Sequence, residues 1–400
     1  MLKFGGTSVA SEQGRRAIAE RVSAATEVGK ACVVVVSAIG RKGAPYATDT
    51  LLGLVEELPA DAYERDLLAS VGEIISAVLV AHELRAGGIP AKAFTGADAG
   101  ILTDGVPGSA SITEIHTGPL ASALSDGLVP VVCGFQGADE QGRVTTLGRG
   151  GSDTTACAIG VALGADEVEV YTDVDGVMTA DPRTCDGTRV IEVIGADELF
   201  QLARHGGRVV HTPAAELALA SGLALRVRNT YSDHPGTTVA RVGDYRPSSV
   251  ATAVTSHGGI ARLRIHLGAG EADPGFMSAQ SAVYRLLADE GISLDMFTPI
   301  GSELVCALAS ESAQRAADVL GHAGFHCDIT GDLAKVTLIG AGMHGVAGVM
   351  ARMADLLAKA GVTVIQTADS HTTISVLVRE GDAAAAVRAL HDGFSLSSAQ

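Results

Sequence analysis

The stretch Ala31-Cys-Val-Val-Val-Val-Ser37 is an almost unbroken run of apolar residues, most of them β-branched. Such a run is typical of a strand that helices cover on both faces, as in a parallel sheet. The stretches 129–135 (VPVVCGF) and 168–172 (VEVYT) have the same character. Residues 66–84 carry apolar side chains at helical spacing, which predicts a helix lying on the sheet. The alternation runs from residue 2 to about 240 and predicts an α/β domain, with a mostly parallel sheet between helices.

The pattern changes beyond this domain. Residues 241–250 (RVGDYRPSSV) form a polar, proline-containing stretch, which marks a domain boundary. Beyond it a helix-and-strand pattern occurs twice, and Gly275 and Gly291 of the first copy match Gly345 and Gly361 of the second at the same offset. This indicates a duplicated α+β unit. The predicted segments are an α/β domain at 1–240, a linker at 241–255, and two α+β repeats at 256–328 and 329–400.

Gly340-Ala-Gly-Met-His-Gly345 fits the GxGxxG pattern of dinucleotide-binding turns. The chain that follows is too short to build the second half of a dinucleotide-binding sheet, and the first repeat lacks the motif. We therefore interpret these glycines as turn and packing residues.

Composition narrows the classes of function. A net charge of -17 and the lack of a Lys/Arg stripe with interleaved aromatics speak against nucleic acid as a partner. The six cysteines form no CxxC pair, which is typical of reduced residues in a cytoplasmic protein. The longest apolar runs, such as Val33–Val36, fall far short of the ~20 residues of a membrane span, so no membrane role is expected. His322, His326 and Cys327 have a ligand-like spacing but no evident fourth partner, so no metal site is assigned.

The first candidate for chemistry is Lys3-Phe-Gly-Gly-Thr-Ser8, which precedes a helix predicted to begin near Ser11. Gly5 and Gly6 allow backbone N–H groups to approach a phosphate closely, and Lys3 supplies positive charge for a transferring phosphoryl group. An ordinary glycine turn with a surface lysine is the alternative reading.

The second candidate is Gly148-Arg-Gly-Gly-Ser-Asp153, between a predicted hairpin at 139–146 and a helix predicted over 154–163. Arg149 among glycines suits a two-pronged grip on an α-carboxylate, and Asp153 suits an α-ammonium group. A glycine loop with an Asp helix cap would account for Ser152 and Asp153 but would leave Arg149 without a purpose.

The third candidate, 171–183 (YTDVDGVMTADPR), leaves the carboxyl end of a predicted strand, where open α/β sheets bind ligands. Thr172, Asp173 and Arg183 are therefore candidates for nucleotide contacts, although a plain acidic loop would read similarly. The sequence contains no GxxxxGK[ST], HRD or DFG motif, which excludes P-loop kinases and protein kinases.

Taken in order, these motifs resemble those of the aspartate kinase family. The matching stretches are KFGGTSV at 3–9, VVSAIGRKGAPYATDTLL at 35–52, VGEIIS at 71–76, GFQG at 134–137, TLGRGGSDTTA at 146–156 and YTDVDGVMTADPR at 171–183. The second half, through ADSHTTISVLV at 368–378, resembles the paired ACT domains of that family, especially in Gram-positive enzymes of the diaminopimelate-responsive type. The resemblance implies an amino-acid kinase fold followed by two ferredoxin-like ACT domains.

The resemblance also implies roles for individual residues. Lys3, Arg149 and Asp153 are implied to be catalytic. The implied substrate-binding residues are Ser37, Thr48, Glu73, Arg149, Gly150, Gly151, Ser152 and Asp153. The implied nucleotide-binding residues are Lys3, Phe4, Gly5, Gly6, Ser8, Thr172, Asp173, Met178, Asp181, Arg183, Arg208 and Val209. Asp273, Gly275 and Ser293 are implied effector contacts. Helical periodicity alone would put Glu73 on a solvated face.

The chain departs from the family pattern at several positions. Only Met1 and Leu2 precede Lys3, so the first strand is expected to be short. Arg208 stands where the family typically has a nucleotide-contacting lysine, and Asp98 stands where glutamine is common. Residues 294–300 (LDMFTPI) lack the glutamine-bearing segment with which lysine- or threonine-inhibited relatives hold their effector.

The resemblance implies a cytoplasmic, ATP- and Mg²⁺-dependent enzyme that phosphorylates the β-carboxylate of L-aspartate, the first step toward lysine, threonine and methionine. It also implies an amino-acid effector at the ACT domains and a homodimer or higher oligomer. Two alternatives remain at this stage. One is a related kinase acting on another acceptor, such as glutamate or N-acetylglutamate, and the other is a non-catalytic ACT sensor.

Overall fold

The computed structural model describes residues 1–397 except for 60, 208, 241–243, 248, 269, 271–272, 274 and 344. The chain divides into two compact units, Met1–Val177 with Val190–Arg246 and Met178–Arg189 with Pro247–Gln400. Residues 178–189, which the sequence assigned to the first domain, thus belong with the second unit.

The first unit contains a large sheet whose strand order among the described residues is β10-β12-β11-β9-β1-β2-β6-β3. Every neighbouring pair is parallel except β11 with β12. The predicted mostly parallel sheet is therefore confirmed. The strands are β1 Leu2–Phe4, β2 Val34–Val36, β3 Ala91–Phe94, β6 Val129–Cys133, β9 Val168–Thr172, β10 Val193–Gly195, β11 Leu225–Asn229 and β12 Thr237–Ala240.

The stretch that predicts the sheet lies at its centre. Val34, Val35 and Val36 are fully buried, and β2 pairs with β1 on one side and β6 on the other. Helix packing on both faces is what a run of Val without polar alternation requires. β1 is short, as the sequence indicates.

The helices of the first unit precede or follow these strands. They are α1 Gly6–Val9, α2 Glu12–Glu27, α3 Thr48–Gly53, α4 Ala62–Ala86, α5 Gly118–Ser125, α6 Gly151–Leu163, α7 Ala196–Arg204 and α8 Thr212–Ser221. Ser11 caps α2 by accepting the Gly14 N–H at 3.0 Å, as its position before the predicted helix suggests.

Within the described part of the chain, α4 is the one helix long and apolar enough to cross a membrane by length and composition. No long apolar run marks this helix in the sequence, because polar residues interrupt the apolar ones. Half of its most apolar window is buried inside the protein, and its buried residues include Asp66 and Glu73. Core helices often have the same length and composition, so these features are weak evidence for a membrane span.

A smaller sheet in the first unit has the described order β5-β4-β7-β8. Its strands are β4 Ile101–Thr103, β5 Ile112–Ile115, β7 Gln136–Ala138 and β8 Val144–Thr146. β7 and β8 form the predicted hairpin, although its first strand lies before Asp139 rather than after it. Asp139 closes the turn by accepting the backbone and Nε hydrogens of Arg143. This sheet brings the loop after β8 toward the large sheet.

The second unit has one sheet of described order β14-β15-β13-β16-β18-β17, with all pairs antiparallel. β15 and β18 are offset by 70 residues at both ends, so the predicted duplication is confirmed. The elements are β13 Ala253–His266, α9 Phe276–Asp289, β14 Asp295–Ile300, β15 Glu303–Ala309, α10 Ser310–His322, β16 His326–Ile339, α11 Val349–Lys359, β17 Gln366–Asp369, β18 Thr373–Arg379 and α12 Ala383–Gly393.

The long strands β13 and β16 each run through both repeats, and they pair with each other in both. Residues 253–257 of β13 pair with 335–339 of β16, and 260–266 pair with 326–333. Residues 253–255, which the sequence placed in a linker, are therefore part of the sheet.

The GxGxxG stretch has the packing role that we expected. A Cβ on Gly340 would lie 2.3 Å from the Val250 carbonyl oxygen, and one on Gly342 would lie 2.4 Å from that of Ser249. The surrounding sheet is antiparallel, which excludes a dinucleotide-binding βαβ unit at this position.

Candidate functional site

Lys3 meets the arginine-bearing loop at the carboxyl edge of the large sheet. β1 carries Lys3 between β2 and β9, and its Nζ lies 2.5 Å from Asp153 Oδ1 in the first turn of α6. Both residues are less than one tenth exposed. A buried lysine without a counter-charge would be costly, so this ion pair fixes the two elements to each other. The two glycine-rich stretches therefore share one site.

The Gly5-Gly6 turn leaves room beside this ion pair. A Cβ on Gly6 would lie 2.4 Å from the Ala38 carbonyl oxygen, which no side chain could accommodate. A Cβ on Gly5 would lie 3.9 Å from Lys3 Nζ, so the turn passes directly by the ammonium group. The turn thus brings backbone close to Lys3, as the phosphate-loop interpretation expects.

The loop before α6 depends on two glycines in the left-handed region, Gly148 at φ 71° and Gly150 at φ 74°. A Cβ on Gly150 would lie 1.9 Å from Cγ of His211, so the imidazole lies directly over the loop. α6 begins at Gly151, earlier than the predicted residue 154, and its first turn buries Ser152 and Asp153.

Arg149 lies at the exposed tip of this loop. It has no hydrogen bond or ion pair with any residue that the structure describes. Burial lowers the pKa of His211, the charge of Asp153 acts in the opposite direction, and the charge of Arg149 adds a smaller lowering. A guanidinium without a partner beside a buried cluster is well suited to bind the carboxylate of a ligand.

Glu73 is buried on α4 with 2% exposure, contrary to the solvated position that periodicity predicts. Its Oε1 accepts the Ala38 N–H at 3.0 Å, and its Oε2 has no partner among the described residues. Burial raises the pKa of Glu73 to about 8, although the hydrogen bond from Ala38 acts in the opposite direction. An ammonium group at Oε2 would restore ionisation.

Ser37 and Thr48 border the same region and are half-buried. The Ser37 N–H donates to the Phe4 carbonyl oxygen at 3.2 Å, and Thr48 begins α3. Helix α4 lies against this segment at Gly72, where a Cβ would be 2.6 Å from that of Ala38.

The predicted nucleotide contacts fall into both units. In the first unit Thr172 ends β9 and Asp173 follows it, and Asp173 pairs with Arg41 at 2.7 Å. In the second unit Arg183 binds both carboxylate oxygens of Asp181, and Met178 is half-buried. Val209 lies in the loop before α8, and Arg208 lies outside the described residues.

Two side chains predicted to touch nucleotide point into the core instead. Phe4 is fully buried and stacks on Tyr171 with ring centroids 4.7 Å apart. The Ser8 hydroxyl is also fully buried and lies 2.7 Å from the hydroxyl of Thr230. Strand pleating and the short helix α1 turn these residues inward, so their side chains are not available for a nucleotide.

The predicted effector contacts do not come together within one chain. The Asp273 carboxylate accepts the Gly275 N–H at 2.7 Å just before α9, whereas exposed Ser293 follows the end of that helix. At about 1.5 Å per residue, the helix separates them by roughly 20 Å.

Asp66 and His211 are parts of the site that sequence reasoning missed. Buried Asp66 on α4 accepts hydrogen bonds from Thr146 N at 2.6 Å and Oγ1 at 3.0 Å, directly before the arginine loop. His211 donates its backbone N–H to Asp153 Oδ2 at 3.2 Å. A carboxylate among the apolar residues of the predicted helix is the feature of the sequence that could have identified Asp66.

A cavity of about 630 Å³ elsewhere in the first unit is lined by β5, α6 and α8. Its described lining includes Leu147 and Thr154, on either side of the loop, but none of the predicted site residues. The ion pair of Lys3, rather than this cavity, therefore marks the candidate active site.

Comparisons with known proteins agree with this geometry. Residues 1–229 match the amino acid kinase family, and residues 328–392 match the ACT domain. "Aspartokinase 1" of Bacillus subtilis is 40% identical over 402 residues, covering 99% of this chain and 98% of the relative.

Two solved structures share the fold. E. coli aspartokinase III in complex with aspartate and ADP (R-state) superposes with a TM-score of 0.81 at 24% identity, covering 98% of this chain and 99% of that one. The same E. coli enzyme with lysine and aspartate (T-state) gives a TM-score of 0.71 at 24% identity, covering 98% of both chains.

Proposed function

The chain belongs to the aspartokinase family of ATP-dependent kinases, and we propose that the cleft around Lys3, Glu73 and the 148–153 loop transfers the ATP γ-phosphoryl group to the β-carboxylate of L-aspartate. The observation that carries this assignment is the buried ion pair of Lys3 with Asp153. It joins the candidate phosphate turn to the candidate amino-acid loop.

Recognition of a zwitterion explains the charges. Arg149, which has no partner among the described residues, would bind the α-carboxylate in a two-pronged way. Glu73 and Asp153 would hold the α-ammonium group. An acylated amine carries no charge, so it would leave Glu73 buried without compensation.

Phosphoryl transfer needs positioning and charge neutralisation more than covalent chemistry from the protein. A β-carboxylate oxygen attacks the γ-phosphorus, the bond from that phosphorus to the β–γ bridging oxygen breaks, and ADP leaves. No base is required, because the aspartate carboxylate is ionised near neutral pH. In the free enzyme Lys3 neutralises Asp153, and with both substrates bound its ammonium group would turn toward the phosphoryl oxygens while the ligand ammonium replaces it at Asp153.

Thr172 at the end of β9 and Asp173 directly after it fit the binding of a magnesium nucleotide. The Thr172 hydroxyl and the Asp173 carboxylate lie 3.2 Å apart at the strand end and are oxygen donors of the kind that Mg²⁺ prefers. When bound, Mg²⁺ would neutralise charge on the polyphosphate. Arg41, which now pairs with Asp173, is a further cation at this edge.

The second unit supports a regulatory role. It contains the ACT match, and the E. coli relative of the same fold was solved with lysine bound. An amino-acid effector that binds a low-activity arrangement more tightly would lower turnover by shifting the population. A cytoplasmic homodimer or higher oligomer is the assembly that we propose. Inhibition by lysine, threonine, methionine or meso-diaminopimelate, with light scattering for the oligomer, tests both points.

A coupled ADP-release assay with different acceptors tests the catalytic assignment. Aspartate should support turnover, whereas glutamate and N-acetylaspartate should support little. Arg149→Lys should raise the KM for aspartate and leave the KM for ATP unchanged, because lysine keeps the charge but loses the planar fork. Arg16→Lys, at an exposed ion pair on α2, is the control.

Two outcomes would overturn the proposal. Faster turnover with another acceptor would identify a related kinase of different specificity. ATP binding without turnover on any acceptor would identify a sensor with an inactive kinase domain.

A further inference from the structure

We propose that the second unit carries a site for a divalent d-block cation of the zinc class, formed by His266, His326 and Asp328. One ligand atom from each side chain lies within 4.8 Å of the others. The site is independent of the kinase cleft, since all of its residues belong to the sheet of the second unit.

Strand register places these side chains together. His266 at the end of β13 pairs directly with His326 at the start of β16, and Arg264 pairs with Asp328. Residues two apart on a strand point to the same face of a sheet, so both imidazoles and the carboxylate project from one face. The intervening Ile265 and Cys327 belong to the apolar core on the other face.

The distances suit a metal ion. His266 Nε2 lies 3.1 Å from Asp328 Oδ2, and His326 Nε2 lies 3.7 Å from Asp328 Oδ1. Bonds of about 2 Å to a tetrahedral ion set ligand atoms about 3.3 Å apart. The His326 separation is too long for a hydrogen bond, and its ring stacks on that of His266 with centroids 5.3 Å apart, so both imidazoles lie side by side next to the same carboxylate.

Glu303 supplies the outer support that metal-binding histidines usually have. It lies opposite His266 on β15, and its Oε1 is 3.2 Å from His266 Nδ1. A carboxylate at Nδ1 holds the proton on that nitrogen and directs the unprotonated Nε2 toward the ion. Arg264 lies 3.3 Å from the other oxygen of Glu303, so its positive charge is already paired.

The site is open to solvent and incomplete without water. The side chains of His326 and Asp328 are 77% and 60% exposed, and that of His266 is 38% exposed. Two imidazoles and one carboxylate match a common zinc ligand set, and water would fill the fourth position. The ion would join β13 to β16, whose pairing unites the two repeats.

This site differs from the trio that spacing suggested. Only His326 of His322, His326 and Cys327 takes part, because His322 ends α10 and Cys327 contributes to the core face. His322 is exposed and outside the cluster, which makes His322→Ala a matched control.

Cobalt titration of the full-length, tag-free chain after chelator treatment tests the proposal. One equivalent of Co²⁺ should give the strong visible absorption of a tetrahedral site, and Zn²⁺ should displace it. His326→Ala should abolish this absorption, while His322→Ala keeps it. Glu303→Gln should weaken Co²⁺ affinity by about 10- to 100-fold, as loss of an outer ligand partner typically does.

His326 is largely exposed, so its substitution leaves the core intact, and circular dichroism checks this. His266→Ala should lose Co²⁺ in the same way. The proposal is overturned if Co²⁺ gives no visible absorption with the wild-type chain, or if His326→Ala and His322→Ala bind it equally well.

Discussion

Replacing Glu73 by Gln should stabilise the first unit while it impairs aspartate binding. Burial raises the pKa of Glu73 from 4.5 to about 8, so the folded chain keeps a proton there at pH 7 while the unfolded chain does not. The free energy of unfolding therefore falls as pH rises from about 4.5 to about 8. Glutamine avoids this loss and can still accept the Ala38 N–H.

The magnitude follows from the pKa difference. Each pH unit above the unfolded pKa costs about 1.4 kcal/mol until the folded pKa is reached. Glu73→Gln should thus add up to about 3 kcal/mol to the free energy of unfolding at pH 7, but only about 0.7 kcal/mol at pH 5. Under the proposed function, pairing with the ammonium group of aspartate would offset this cost.

Urea unfolding followed by circular dichroism at pH 5 and pH 7 measures the difference. The transition that aspartate shifts in the wild-type chain reports the first unit, because all proposed aspartate contacts lie there. Glu64→Gln, on the exposed side of the same helix, is the matched control. A stability difference equal at the two pH values, or a less stable Glu73→Gln at pH 7, would refute the reasoning.

Three further predictions concern the same cleft. The KM for aspartate should fall as pH rises toward about 8, because Glu73 must ionise to pair with the ammonium group, and Glu73→Gln should flatten this profile. Asp66→Asn should lower the free energy of unfolding in urea by about 1–3 kcal/mol, because it weakens the hydrogen bonds that hold the strand end before the arginine loop. It should also reduce kcat/KM for aspartate. An unchanged kcat/KM would show that Asp66 does not position this loop. Gly150→Ala should lower kcat/KM about 10²-fold by displacing His211, whereas Gly164→Ala, at φ 63° with open space around it, should not; equal losses in both variants would point to backbone strain alone.

Local patterns predicted the parts of the site that depend on local chemistry. The Val run at 33–36 requires burial on both faces, and the glycines at 148 and 150 adopt left-handed conformations that other residues rarely adopt. Lys3 lies in β1 and Asp153 in the first turn of α6. They are close together because the carboxyl ends of the parallel strands and the starts of the following helices meet at one edge of the sheet.

Long-range packing decided what the patterns could not. Glu73 is buried because Gly72 lets α4 approach Ala38 closely. The spacing of apolar residues along the helix contains no information about that contact. Residues 178–189 join the second unit because Ala180 and Cys185 pack in its apolar core. The Ser8 hydroxyl points away from the predicted phosphate turn because it hydrogen-bonds to Thr230, which lies more than 200 residues later in the sequence.

The most direct test of the central claim is the rate of acyl phosphate formation from aspartate and MgATP, trapped with hydroxylamine as the hydroxamate. If Lys3 and Asp153 belong to one phosphoryl-transfer site, Lys3→Ala should lower this rate by about 10² or more in a folded protein that still binds ATP. Asp153→Asn should lower the rate as well, because its carboxylate would hold the α-ammonium group of aspartate while Lys3 contacts the phosphoryl oxygens. A wild-type rate in either folded variant would contradict the account.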